Sequence, residues 1–282
     1  MNGTARDPSR PNGPSDDDGG GDRFLALIMG TAASDIRNGT ADADQMFGLG
    51  GDDTLSGFGG DDFIDGGIGD DTLDGGDGDD ILVAGAGRDV LDGGAGDDRI
   101  VLGDNDLDGD SFQGNAGSAD TLDLTGVNWV SPVTINLATN LITTIGASAQ
   151  AASFENIDGS SSSTGEILLG EHRANTINGN GGNDQIRGRD GDDTLSGGDG
   201  ADVVSGGNDD DVIDGNHGDD ELHGDAGDDV VDATSTRSTP AWSSAASPSR
   251  STCPARCGGS AVRARASSGS RTSSAAVATG CR

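Results

Sequence analysis

Residues 48–101 read GLGGDDTLS, GFGGDDFID, GGIGDDTLD, GGDGDDILV, AGAGRDVLD and GGAGDDRIV, six consecutive units of nine. The fourth position is glycine throughout and the first is glycine in all units but one. Aspartate fills every sixth position (Asp53, Asp62, Asp71, Asp80, Asp89, Asp98), and an aliphatic residue every eighth (Leu55, Ile64, Leu73, Leu82, Leu91, Ile100). A fixed period of this kind is the signature of a stacked repeat. The eighth position is expected to bury and the sixth to bind.

Only the last three residues of a unit, such as Thr54-Leu55-Ser56, alternate polar and apolar as a strand does. The glycine-rich six before them have little to pack and suit a tight turn. Short strand and turn in alternation close into a coil, each strand parallel to its equivalent about 4.8 Å away. One aliphatic residue in nine contributes roughly 2–3 kcal/mol per unit, against about 1 kcal/mol or more of backbone entropy for every ordered residue. The pairs Asp52-Asp53, Asp61-Asp62, Asp70-Asp71 and Asp79-Asp80 add repulsion of roughly 1–4 kcal/mol at about 4 Å. A cation must therefore sit between the turns. Carboxylates and turn carbonyls are hard oxygen donors, thiolate is absent from the repeats and histidine nearly so, which points to Ca²⁺.

The pattern G-G-x-G-x-D-x-U-x, with U aliphatic, resembles the hemolysin-type calcium-binding repeats of the RTX family. That resemblance implies a parallel β-roll with two nonapeptides per coil. It also implies an ion held between turns eighteen residues apart, which falls on Asp53 with the loop 66–71.

A second block starts imperfectly at Gly170 (GEHRANTIN) and is clear over 179–232 as GNGGNDQIR, GRDGDDTLS, GGDGADVVS, GGNDDDVID, GNHGDDELH and GDAGDDVVD. Its sixth positions are Asp184, Asp193, Asp202, Asp211, Asp220 and Asp229, and its eighth are Ile186, Leu195, Val204, Ile213, Leu222 and Val231. The twelve sixth-position aspartates of the two blocks are the expected metal ligands, and on the solenoid model they hold about eight ions. Asp209 replaces a fourth-position glycine and Arg88 places a cation at a turn, so those two turns depart from the pattern.

Around the blocks the chain divides into a disordered lead-in (1–22) and a first β-roll (23–101) opened by an apolar capping strand at Phe24 to Met29. A β-rich spacer (102–169) separates this from the second β-roll (170–232). From Gly30 the degenerate units GTAASDIRN and GTADADQMF keep Asp35, Asp44 and Met46. In the spacer the frame dissolves over 102–119, and longer strand-like alternations follow in DTLDLTGVNW, VTINLATNLIT and ASFENIDGS; the serines at 160–163 mark a loop. Residues 233–282 break the pattern, with seven arginines, all three cysteines and no acidic residue. Upstream, 50 acids face 9 arginines, a net charge of −41, whereas this tail carries +7. The tail reads as a shifted reading frame or a disordered segment that cannot continue the solenoid. Cys253, Cys257 and Cys281 do not have the spacing of a zinc site.

With 51 glycines, 3% aromatic residues and no lysine in 282 residues, the chain cannot build one ordinary core. Its net charge of −34 argues against nucleic acid and anionic membrane surfaces as partners. No apolar stretch is long enough to span a bilayer, and the N-terminal residues lack the basic start and apolar run of a signal peptide. His172, His217 and His223 form no H-E-x-x-H pattern, and the chain has no P-loop and no G-x-S-x-G elbow. Catalysis is therefore not expected. The expected function is calcium binding by a secreted structural or adhesive module that folds on the ion. The alternative is an accessory part of an extracellular protease, lipase or polysaccharide-modifying enzyme. The resemblance further implies export, without an N-terminal signal, by a type I exporter that reads a C-terminal segment. A surface or polysaccharide ligand is not legible in the residues.

Overall fold

The alternation of each repeat becomes a strand of six residues, as in Thr54–Gly59, Phe63–Ile68 and Thr72–Asp77. The expected three-residue strand is corrected: each strand continues from the seventh to ninth positions of one unit into the first three of the next, and the turn contracts to positions four to six. The pleat explains why. It puts the eighth position and the following first position on one face, so Leu55 and Gly57 both point inward.

The computed structural model describes residues 26–103, 107, 109–232 and 263–264. Strands stack in parallel at an offset of eighteen residues, with Leu55 opposite Leu73, Leu73 opposite Leu91 and Leu195 opposite Ile213. Two sheets of 12 strands result, alternate strands of the chain going to opposite sheets. Their facing aliphatic rows are the core, and Ile64, Leu82, Leu91, Ile100, Ile186 and Val204 are fully buried. Leu222 and Val231, in the last described coil, are only partly covered. The molecule is an all-β parallel solenoid, consistent with a β-roll. Its one described helical turn is the 3-10 segment Leu137–Thr139.

The spacer lies within the same two sheets. Ser111–Ala116 pairs with Val90–Ala95, and Thr121–Asp123 with Arg99–Val101, in parallel as in the repeats. Thr134–Asn136, Leu141–Thr144 and Ala147–Ala152 form an antiparallel meander that widens one sheet. Around it the core gains Leu102, Leu107, Phe112, Val127, Trp129, Val133 and Phe154.

At the N-terminal side Ala26–Met29 edges one sheet against Asp44–Phe47. At the other end Arg263–Ala264 pairs in parallel with Val230 and Val231. The expectation that the tail cannot join the solenoid is corrected at those two residues, since an open sheet edge pairs with any extended backbone. The lead-in 1–22, the remainder of 233–282 and its three cysteines lie outside the described residues.

Candidate metal-binding ladders

The turn at positions four to six separates the two carboxylates of each Asp-Asp pair. Its fourth residue is left-handed, as at Gly69 and Gly78 (φ 136° and 137°), where a Cβ would strike the carbonyl of the glycine eighteen residues earlier. Asp209 adopts this conformation too (φ 76°), and its carboxylate accepts the Gly191 N–H at 3.2 Å. The chain then passes inward, leaving Asp52, Asp61, Asp70 and Asp79 in solvent and burying Asp53, Asp62, Asp71 and Asp80 to 1–2% exposure. The sixth position thus buries as fully as the eighth.

The buried aspartates stack into rows. Each Oδ1 accepts the backbone N–H of the aspartate one coil earlier: Asp53 to Asp71 at 2.7 Å, Asp71 to Asp89 at 2.8 Å, Asp62 to Asp80 at 2.7 Å and Asp80 to Asp98 at 2.9 Å. In the second block Asp184 donates to Asp202 at 2.9 Å and Asp202 to Asp220 at 3.1 Å, while Asp193 donates to Asp211 at 3.0 Å and Asp211 to Asp229 at 3.1 Å. All twelve predicted positions fall on these rows, along the two edges of the solenoid. Asp220, near the open end, is the one only partly buried.

The second carboxylate oxygen has no donor. Oδ2 of Asp53, Asp62, Asp71, Asp80, Asp98, Asp120, Asp184, Asp193, Asp202, Asp211 and Asp229 is buried without a hydrogen-bond partner. It lies over the first-position glycine of its own unit: a Cβ on Gly57, Gly75, Gly188 or Gly206 would meet the carboxylate of Asp62, Asp80, Asp193 or Asp211. The same Cβ would meet a first-position carbonyl of the next coil, as Gly75 O does for Gly57 and Gly206 O for Gly188. First-position glycine therefore makes room for a carboxylate and a carbonyl rather than for a turn.

Burial, opposed by the backbone hydrogen bond and reinforced by neighbouring carboxylates, raises the carboxyls of Asp62, Asp71, Asp98 and Asp211 to about 6, and those of Asp80, Asp184 and Asp193 to about 7. Asp120, Asp202, Asp220 and Asp229 are raised for the same first reason.

A second, solvent-facing row runs with opposite polarity. Asp52 Oδ1 accepts from Asp70 N–H at 3.1 Å and Asp79 Oδ1 from Asp97 N–H at 2.9 Å, so these side chains reach toward the following coil. Arg88 belongs to this outer row, with Nη2 3.2 Å from Asp70 Oδ2, and leaves the buried carboxylate of Asp89 in line.

The inner rows extend into positions that sequence reasoning missed. Asp89 N–H donates to Asp110 Oδ1 at 2.9 Å, Asp98 N–H to Asp120 Oδ1 at 2.8 Å, Asp120 N–H to Glu155 Oε2 at 3.2 Å, and Glu166 N–H to Asp184 Oδ1 at 2.8 Å. The available signal was a polar–x–apolar triplet: Asp110-Ser111-Phe112, Asp120-Thr121-Leu122, Glu155-Asn156-Ile157 and Glu166-Ile167-Leu168. Residues 114–123, GNAGSADTLD, are a repeat unit lengthened by one residue, which broke the nine-residue count.

Among the described residues no three carboxylate, imidazole or thiol groups converge on one point. A hard cation fits this donor set differently, through one carboxylate with a free oxygen from each turn, completed by backbone carbonyls. Nor is any helix among the described residues long and apolar enough to cross a membrane.

The family model of the RTX calcium-binding nonapeptide repeat matches the chain in four copies, at residues 38–73, 74–106, 169–204 and 196–231. Comparison with curated proteins finds no match. The four copies contain all twelve predicted aspartates and leave Asp120, Glu155 and Glu166 outside. Residues 38–106 and 169–231 are therefore RTX calcium-binding nonapeptide repeats, and calcium binding is the property that these repeats imply.

Proposed function

We propose that Ca²⁺ is held along the two inner rows by Asp53, Asp62, Asp71, Asp80, Asp89, Asp98, Asp184, Asp193, Asp202, Asp211, Asp220 and Asp229, with Asp120 extending one row beyond the matched repeats. The ion supplies positive charge between buried carboxylates, and the residues orient carboxylate oxygens and turn carbonyls toward it. The observation that carries this reading is the buried, donor-less Oδ2 recurring from turn to turn. Each such oxygen costs on the order of 1–3 kcal/mol when unpartnered, more when charged, and a divalent cation removes that cost. About eight ions are expected across the repeats.

The module is then a secreted structural or adhesive element that orders on meeting millimolar calcium outside the cell, exported by a type I exporter. Sites of the extracellular-module class have dissociation constants of roughly 10⁻⁴–10⁻³ M, which matches that environment. The test is a calcium titration of the full chain, followed by circular dichroism, hydrodynamic radius and calorimetric ion count, alongside Asp71→Asn and Asp193→Asn. Ordering on calcium, with a higher midpoint in both variants, is expected. Identical spectra and radius in chelator and in millimolar calcium would sink the reading. Recovery of the protein only from cell lysate, with the exporter co-expressed, would sink its secreted part.

A further inference from the structure

The inner rows change character between the two blocks. Residues 121–178 contain five carboxylates, and each of their oxygens has a partner. Glu155 receives Arg173 Nη1 at 3.1 Å on Oε1 and the Asp120 N–H on Oε2. Glu166, 1% exposed, receives the Ser160 N–H on both oxygens. Asp123 and Asp158 share Arg99, whose Nη2 lies 2.8 and 2.7 Å from their Oδ2 atoms, while Thr125 N–H and Asn178 Nδ2 donate to their Oδ1 atoms. Glu171 pairs with His172 and Arg173.

Two substitutions in the turns remove the need for an added cation. Asn175 takes the sixth position as a neutral amide: its Oδ1 accepts the Glu171 N–H at 2.8 Å, and its Nδ2 donates to the Glu155 carbonyl at 2.8 Å. Arg173, in the fourth position of the same turn, sets a guanidinium against Glu155 of the preceding coil. In the other row a chain of hydroxyls fills the turn before Glu166, from Ser160 to Ser162 to the Thr164 carbonyl, with Thr164 Oγ1 donating to the Trp129 carbonyl at 2.8 Å. The apolar core is also larger here, adding Val127, Trp129, Val133 and Phe154 to the single aliphatic rows of the repeats. Among the described residues of this stretch, the one buried side-chain polar atom without a partner is the uncharged Trp129 Nε1.

We propose that residues 121–178, with Arg99 of the adjoining strand held against them, are an ion-independent centre, in which Arg173 and Arg99 supply the positive charge that calcium supplies elsewhere, and from which the two flanking blocks order when the ion arrives. A buried carboxylate whose two oxygens are already engaged gains less from a metal than one with a free oxygen. The proposal rests on the calcium reading for the behaviour of the flanks only. The state of the centre in chelator is measured without the ion, so the two ideas fail separately.

Hydrogen exchange of the full chain in chelator and in calcium tests this. In chelator, amides at Leu122, Ile135, Ile157 and Ile177 are expected to exchange on the order of a hundredfold more slowly than those at Leu73, Leu82, Leu195 and Val204. Calcium is expected to slow the second group and leave the first within about threefold. Arg173→Ala should lower chelator protection at Ile157 and Ile177 by about tenfold or more, and Arg173→Lys should restore part of it. Equal exchange of centre and blocks in chelator, whether fast or slow, overturns the proposal. Unchanged protection at Ile157 in Arg173→Ala overturns the role given to the arginine.

Discussion

The coil that contains Leu73 and the meander that contains Ile135 lie in the same sheet but balance charge differently. Around Leu73 the interior holds one aliphatic residue per strand, a first-position glycine and a carboxylate with a free oxygen. Around Ile135 the interior holds branched and aromatic side chains, and the nearby carboxylates are fully paired. The difference shows that a parallel solenoid does not itself require glycine at every first position. First-position glycine gives a side chain room to lie flat against the backbone, whether that side chain is free as at Asp62 or paired within the chain as at Glu166 beside Gly159, and another small residue can stand in its place. Ser153 illustrates this: its carbonyl occupies the place beside Gly114 that a first-position glycine carbonyl occupies in the repeats.

The largest effect that would separate the two regions is removal of calcium. Scanning calorimetry in calcium should show the blocks melting well above their ion-free state, and chelator should abolish that transition while a smaller one, from the centre, persists. A single transition lost as a whole in chelator would erase the contrast. Glycine substitution is expected to come next. Gly188→Ala drives a Cβ into the Asp193 carboxylate and should raise the calcium midpoint several-fold, with a stability loss of about 1–3 kcal/mol. Gly146→Ala meets nothing within 4 Å and pays only for its left-handed φ of 92°, roughly 1–2 kcal/mol, with the calcium midpoint unchanged. Equal midpoints in the two variants would detach the glycines from the ion.

Acidity should have a smaller, graded effect. The folded carboxyls of Asp80, Asp184 and Asp193 stand near 7, against 3.8 for a free aspartate, so the ion-free fold binds more protons than the unfolded chain. Their contribution to stability is complete below about pH 4 and is lost as the pH rises toward 7. In chelator, helix-free ordered signal should therefore grow on acidification from pH 7 to pH 5. In calcium the midpoint should move to higher ion concentration over the same range, because protons compete for the same oxygens. A calcium midpoint independent of pH would separate the ion from these carboxyls. Asp52→Asn is expected to change least, since its side chain lies in solvent on the outer row and one exposed hydrogen bond is at stake; a shift as large as that of Asp71→Asn would reduce both rows to bulk charge.

Much of this was legible in the residues, because aspartate and leucine at fixed intervals need no context to be read. The solenoid and the positions of the twelve aspartates follow from the count, and the eighteen-residue stacking from the resemblance of the motif to the RTX family. Strand length was not legible, since Gly57-Phe58-Gly59 has the composition of a turn and only the pleat shows that Gly57 faces inward. The rows through the spacer were hidden by one added residue before Asp120 and by the replacement of aspartate with Glu155, Glu166 and Asn175. Those replacements alter side-chain length and charge while keeping the hydrogen bond to the neighbouring coil.

The opposed polarity of the inner and outer rows has a mechanical consequence. Every coil of the repeats is latched backward by its buried carboxylate and forward by its exposed one, so tension along the axis passes through paired links at each step. The softest link is the C-terminal coil, where Leu222 and Val231 are half-covered and Asp220 is partly exposed. If calcium fills the inner rows, pulling from that end is expected to release the chain one coil at a time, each step freeing eighteen residues or roughly 60 Å of slack, as in a ratcheted spring whose stiffness follows the calcium around it.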